Sequence, residues 1–334
     1  MEVPVFDAGN GRTLSLPVAG EHSLVTGVTG SGKSTTIRVT LAGAAYNPAV
    51  ALVLLDPKRG VELAAWAPRA ARIGRTPAEC ADVLGELVSL MEARYDYLAA
   101  EGRQLWEPGK DGPAVLAAVD ELRVLFRGGS DKDASNRAEA ALADLLLMGR
   151  AAGISILAGT QRPSAESLSL DLRDQFGVRV AHRLGSIESV RMVFGNDLAE
   201  QAPAHRLPEG NQHAGRAYVM LDGATVAAGW TMWLDGADVP RIAAQTADLA
   251  PALVFPDVVP SGPSRATWQA PKSAQGDRLD QALLDALDDG PSTYNDLAAR
   301  VGTTADAARK RLGRLEQVGR VHHEPGSPTW ALVS

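Results

Sequence analysis

Gly27-Val28-Thr29-Gly30-Ser31-Gly32-Lys33-Ser34 has the form G-x-x-x-x-G-K-[ST] and stands between a strand-like run and a helix-like run. Glycines at these spacings let successive backbone N–H groups curl around phosphates, the lysine neutralises their charge, and a serine hydroxyl can ligate Mg²⁺. The positive end of the following helix adds to the field. Upstream, Glu21 to Thr26 reads as a short strand; downstream, Ile37, Leu41, Ala44 and Ala45 fall at helical spacing. Loop and flanks together predict a nucleoside triphosphate held by Gly27, Thr29, Gly30, Ser31, Gly32, Lys33, Ser34 and Thr35, with ATP and Mg²⁺ as the expected ligands. The other reading, a glycine-rich turn that only joins two elements, does not ask for these flanks.

Working outward, Leu52 to Asp56 is an apolar strand closing on Asp56-Pro57-Lys58, and a stretch rich in Ala, Leu and Glu from about 77 to 100 reads as a helix. A loop at 101–113 precedes Ala114 to Val119, an apolar run that ends on Asp120-Glu121. A polar stretch at 127–137 leads into a helix expected over about 138–152, and Ile154 to Thr160 is a further apolar strand. Strands alternating with helices predict an α/β fold, a parallel sheet covered on both faces.

The chain has 334 residues, a single cysteine (Cys80) and a formal net charge of −7. That length allows about two domains. One cysteine excludes an intramolecular disulfide and suits a reducing compartment, and Cys80 reads as an inert helix residue. Acidity confines any attraction to nucleic acid to local basic surfaces. No apolar run approaches the ~18 residues that span a membrane, and the first residues lack the pattern of a signal peptide. The expectation is therefore a cytoplasmic protein without a membrane segment of its own.

Composition divides the chain into a motor at 1–237, a linker rich in Pro and Ala at 238–277, and a small domain at 278–334. The last reads as three helices, 279–287, up to about 301, and up to about 318, followed by a hairpin. Ala305, Ala308, Leu312 and Leu315 share one face of the third helix, leaving Thr304, Arg309, Lys310, Arg311 and Arg314 toward solvent. This is a winged-helix pattern with the third helix as the reader of the major groove. A three-helix protein–protein module with a solvated basic face is the alternative.

Two acids at the end of a buried strand, downstream of a phosphate loop, suit metal binding by Asp120 together with Ser34, and activation of water by Glu121. A helix N-cap pair is the plainer reading. Thr160-Gln161 closes the next strand, which makes Gln161 a candidate sensor of the γ-phosphate, or simply a partner for a loop amide.

The ordered set resembles the FtsK/SpoIIIE family of DNA-pumping motors. Residues 149–164, Gly-Arg-Ala-Ala-Gly-Ile-Ser-Ile-Leu-Ala-Gly-Thr-Gln-Arg-Pro-Ser, look like that family's R-A-x-G-I-H-L-x-x-A-T-Q-R-P-S signature; Asp56-Pro57-Lys58 is similar to its D-P-K element and Val119-Asp120-Glu121 to its V-I-D-E. The resemblance spans about residues 20–235 and is strongest to the conjugative double-stranded DNA translocases of actinomycete plasmids and integrative elements. Ser155 stands where many relatives have His, Gly159 interrupts an Ala-Thr pair, and the family's membrane anchor is not within this chain. The resemblance implies a RecA-like P-loop ATPase, assembled as a homo-oligomer, a hexamer in the family's manner, with double-stranded DNA and a membrane-bound transfer protein as expected partners. It further implies catalytic roles for Lys33, Asp120, Glu121 and Gln161, and an arginine delivered by the neighbouring subunit, for which Arg179 and Arg191 are the candidates and Arg183 a lesser one. Either arginine could instead be a surface salt-bridge partner.

A ring motor needs channel loops that grip phosphates without reading bases. Arg127, Lys132 and Arg137 fit that need, although Asp131 and Asp133 offset their charge and an ordinary solvated loop fits too. Thr304, Arg309, Lys310 and Arg314 would supply sequence discrimination. Two rivals stay open: an ATPase that couples protein substrates to a secretion pore, and a DNA-binding regulator switched by nucleotide.

Overall fold

The computed structural model describes residues 1–126, 131–163, 169–221, 223–253, 282–288, 290–317, 320–323 and 329–332. The chain divides into two compact units, Met1–Ser261 and Gly262–Ser334.

The first unit is built on a ten-stranded sheet. Its strands are β1 (Glu2–Gly9), β2 (Arg12–Pro17), β3 (Ser23–Thr26), β4 (Val50–Leu55), β5 (Ala70–Gly74), β6 (Ala114–Val119), β7 (Ile154–Thr160), β8 (Val178–Ala181), β9 (Arg216–Met220) and β10 (Val226–Thr231), in the order β2-β1-β10-β9-β8-β3-β7-β6-β4-β5. From β8 to β5 all neighbours are parallel; from β8 through β9, β10 and β1 to β2 they are antiparallel.

Why the central strands read as unbroken apolar runs is visible in the packing. Alternate residues point to opposite faces, and both faces are covered. Val25, Leu52, Leu54, Leu116, Ala118 and Leu157 join Ile37 and Leu41 of α1 (Lys33–Ala45) in one core. Leu24, Val53, Leu55, Val115, Val119 and Ile156 join Leu84, Leu87 and Leu90 of α2 (Pro77–Ala100) and Leu142, Leu145 and Leu146 of α4 (Lys132–Met148) in the other. A strand buried on both sides keeps no polar alternation. The short helix α3 (Leu122–Phe126) follows the strand-end acids, with Leu122 and Leu125 buried.

The centre of the sheet is parallel as expected, and residues 2–17 and 216–231 add a four-stranded antiparallel edge. Two expectations are corrected. The polar stretch at 127–137 is not all loop, because α4 starts at Lys132, its N-cap Asp131 accepting a hydrogen bond from Ala134 N–H at 2.9 Å. The segment taken as linker from 238 begins with a helix, α8 (Val239–Gln245), whose Val239, Ile242 and Ala243 are buried in the α1-side core. The remainder of that segment from 254 lies outside the described residues.

Three further helices of this unit are α5 (Leu170–Asp174), α6 (Ile187–Phe194) and α7 (Asn196–Ala199). Among the described residues no helix is long and apolar enough to cross a membrane.

The second unit has helices over 282–287 (α9), Tyr294–Val301 (α10) and Ala305–Gln317 (α11), and a sheet ordered β11-β13-β12, from Ser292–Thr293 (β11), Val321–His322 (β12) and Thr329–Leu332 (β13). Leu283, Leu287, Leu297, Ala308, Leu312, Val321 and Trp330 close its core. Thr293 caps α10 and Gly302, at φ 68°, ends it in the left-handed conformation. Three helices and a small antiparallel sheet are the winged-helix arrangement.

Candidate nucleotide site

The phosphate loop leaves the C-terminal end of β3, a central strand where connections diverge to either side of the sheet, the position at which α/β sheets form clefts. Gly27 N–H donates to Thr160 carbonyl at 3.3 Å and Val28 N–H to Arg183 carbonyl at 2.9 Å, so the loop is slung between β7 and the end of β8. Gly30 and Gly32 have φ of 76° and 111°, which side-chain-bearing residues rarely adopt. At Gly32 a Cβ would also collide with the backbone of Gly215, whose N–H donates to Ser31 carbonyl at 2.8 Å. Ser31 Oγ is buried without a partner, as suits a loop shaped to be completed by an acceptor-rich ligand.

Lys33, the first residue of α1, reaches across to the strand-end acids. Its Nζ donates to Asp120 carbonyl at 2.8 Å and to Asp120 Oδ1 at 3.2 Å. Both side chains are nearly inaccessible, 5% and 2% exposed. The second oxygen of Asp120 accepts from Lys58 Nζ at 3.0 Å. Burial is the largest influence and pulls the Lys58 ammonium down, but Asp120, Glu121 and Glu62 together outweigh it and the net shift is upward. Asp56, fully buried, does not face the site. It folds the loop that carries Lys58, accepting from Glu62 N–H at 2.7 Å, Leu63 N–H at 3.0 Å and Lys58 N–H at 3.2 Å.

Glu121 is 4% exposed, and its two carboxylate oxygens accept from Gln161 N–H at 3.2 and 3.1 Å. The Gln161 side chain accepts from Thr29 Oγ1 at 3.2 Å. A single residue at the end of β7 thus ties the loop to the second acid. Gly159 proves to be required by packing: a Cβ there would overlap Asp120 carbonyl oxygen and stand 3.1 Å from Lys33 Nζ and 3.0 Å from Ile37 Cδ1.

Ser34 and Asp120 suit a divalent cation. Among the described residues no cluster of three or more His, Cys, Asp or Glu could hold one alone. Phosphate oxygens and water would complete the shell, the usual manner of Mg²⁺.

His182 underlies the loop, fully buried. Its Nδ1 faces Arg216 carbonyl at 3.1 Å and therefore carries the proton, leaving Nε2 to accept from Thr36 Oγ1 at 2.8 Å. Burial above all holds its pKa down to about 4, with the Lys33 charge acting in the same direction and the bond to Arg216 carbonyl opposing. His22 is likewise depressed to about 4, mainly by burial and next by Arg150; its Nδ1 accepts from Ile156 N–H at 3.0 Å.

The arginines separate. Arg179 is buried and spent inside its own subunit, donating to Phe176 carbonyl at 2.8 Å, Val193 carbonyl at 3.1 Å and Asp174 Oδ1 at 3.1 Å. It is an internal brace, which argues against the expected reach to a neighbour. Arg191 is exposed on α6. Arg183 lies beside the loop but pairs with Glu209 at 2.7 Å.

Of the expected DNA contacts, Lys132 is exposed at the start of α4, whereas Arg137 on the same helix pairs with Asp82 at 2.7 Å and Asp133 at 3.1 Å. Arg309 and Lys310 are exposed on α11, and Thr304 Oγ1 accepts from Ala307 N–H at 3.3 Å, an N-cap contact. Arg127 and the Arg314 side chain lie outside the described residues. Cys80 is buried in α2 with its thiol pushed up to about 12, chiefly by burial, which suits an inert role.

Residues 3–131 match the family model for FtsK/SpoIIIE, and residues 277–316 match the AsnC-type helix-turn-helix domain. The chain is 38% identical over 192 residues to a sporulation regulatory protein of Streptomyces azureus, across 55% of this chain and 63% of that one. It is 34% identical over 194 residues to transfer protein TraSA of Streptomyces ambofaciens, across 52% and 46%. The matches therefore span less than two thirds of either relative's length. In fold it resembles the pCW3 conjugation coupling protein TcpA, solved as a monomer with ATPgS, at a TM-score of 0.63 and 22% identity over 73% of this chain and 70% of that one. Over residues 3–131 the chain is thus similar to the FtsK/SpoIIIE family.

Proposed function

We propose that the chain is a Mg²⁺-dependent ATPase motor that works in an oligomeric, hexameric ring, moves double-stranded DNA, and is recruited by its winged-helix unit. The observation that carries this reading is the connected path Thr29–Gln161–Glu121, with Lys33 on Asp120 beside it. These contacts support reading the loop, Asp120 and Glu121 as parts of one site.

In this reading Lys33 and the loop amides bind the phosphates, and Ser34 and Asp120 would hold the metal, which would supply positive charge to offset that of the phosphates. Glu121 orients a water and takes its proton as the water oxygen bonds to the γ-phosphorus and the bridge to the β-phosphate breaks. The lost γ-phosphate contact reaches Thr29 and Glu121 together through Gln161. Arg191, exposed on α6, is the side chain offered to the adjoining subunit's nucleotide. Lys132 supports the grip on phosphates, and Arg309 and Lys310 support docking of α11 in a groove. The names of the relatives, a transfer protein and a conjugation coupling protein, favour DNA transfer as the setting.

ATPase rate against duplex length tests the reading. A motor is stimulated strongly by long duplexes. Absence of any stimulation supports a coupler of protein substrates, and slow turnover with tight binding of one sequence supports a switch; either result removes the motor.

A further inference from the structure

Lys58 is a cation that neither the phosphate loop nor the strand-end acids require, yet it sits on the acid where a metal would bind. Asp120 presents one oxygen to each of two ammonium groups, Oδ1 to Lys33 at 3.2 Å and Oδ2 to Lys58 at 3.0 Å. The turn behind Lys58 is fixed: Asp56 organises it through three backbone N–H groups, Gly60 N–H donates to Asp56 carbonyl at 3.2 Å, and Arg59 and Gly60 both have positive φ. The ammonium is therefore delivered to Oδ2 by a built loop.

A divalent cation approaching Oδ2 meets the Lys58 ammonium at contact distance, and the repulsion between the two like charges opposes its binding there. Withdrawal of one lysine relieves that repulsion. Lys33 is 5% exposed and holds a second bond, to Asp120 carbonyl at 2.8 Å. Lys58 is 32% exposed and, among the described residues, its Nζ has one bond, to Oδ2. The two contacts differ in how easily they are given up, and the one that opens is on the solvent side.

We propose that Lys58 is a displaceable positioning residue on Asp120: it neutralises and orients the carboxylate, competes with the divalent cation for Oδ2, and on release is free to pair with phosphate oxygens. This rests on the site being one for a metal–nucleotide. It predicts that the metal threshold for nucleotide binding is set by a lysine remote in sequence from both motifs.

The test is equilibrium binding of a fluorescent ATP analogue to the full chain, titrated with Mg²⁺. With Lys58→Met, half-saturating Mg²⁺ falls roughly tenfold, and with Lys58→Arg, which restores the charge, it stays within about twofold of the parent. Lys58→Gln, closer in polarity should the methionine variant fail to fold, shifts in the same direction as Lys58→Met. A midpoint unchanged or raised in the Met and Gln variants, with the parent binding normally, overturns the role of Lys58 alone. A parent that binds no analogue at any Mg²⁺ concentration overturns the nucleotide reading and this inference with it.

Discussion

In the proposed mechanism Glu121 separates binding from turnover. Its carboxylate is held by Gln161 N–H and is kept from solvent, while the phosphate contacts are assigned to other residues. Glu121→Gln is expected to retain ATP and to lose turnover by about 10²- to 10⁴-fold, the usual worth of a positioned general base, and single-turnover hydrolysis of labelled ATP measures it. Turnover at the parental rate would remove the assignment. Gly159→Ala places a methyl group against Asp120 carbonyl, Ile37 and Lys33; it should destabilise the fold by about 1–3 kcal/mol, as overpacking does, and weaken ATP binding, both read from denaturant melts with and without nucleotide. The two buried histidines give a pH signature. Each has a folded pKa of about 4 against an ordinary 6.5, so the unfolded chain binds more protons between those values. Their contribution is fully present above about pH 6.5 and is lost as pH falls toward 4. Thermal midpoints across that window should drop, and less steeply for His22→Gln; an unchanged slope there would show that His22 is protonated in the fold. The phosphate loop and the two acids were legible in the sequence because their meaning lies in local spacing. Lys58 and His182 were not: they meet Asp120 and Thr36 across 62 and 146 positions, and nothing in a local window reports such a contact. Asp56-Pro57-Lys58 was the available signal for Lys58.

Elements buried on both faces were legible for a related reason. β4, β6 and β7 are continuous apolar runs because both cores need them so. The antiparallel edge escaped notice because β1 pairs with β10, Phe6 with Thr231, more than two hundred residues away. Helix α8 was masked by Pro240, which reads as a linker residue but sits in the first helical turn, where a missing N–H costs nothing. At this scale α11 makes the testable claim. Arg309 and Lys310 are both exposed, so Arg309→Ala and Lys310→Ala should each weaken DNA binding. If the side chain meets phosphate, each should also reduce the slope of log affinity against log salt by about 1. Fluorescence anisotropy over a salt series measures this, and slopes identical to the parent would turn the basic face of α11 into a solvated surface.

On the scale of the whole molecule, two of the three candidate arginines are spent within the chain: Arg179 braces β8 and Arg183 is paired with Glu209. That arrangement favours Arg191 acting on a neighbour. Arg191→Ala and Lys33→Ala subunits, each inactive alone, should regain part of the ATPase rate when mixed, because one supplies the arginine and the other the intact loop. Mixtures that assemble and stay inactive would confine the chemistry to a single subunit. The central claim, that hydrolysis at Lys33, Asp120 and Glu121 drives movement along duplex DNA, is tested most directly by displacement of a triplex-forming strand from a long duplex. The full chain with ATP and Mg²⁺ should release that strand while Glu121→Gln should not; a parent that hydrolyses ATP on the same duplex yet leaves the third strand in place would contradict the account.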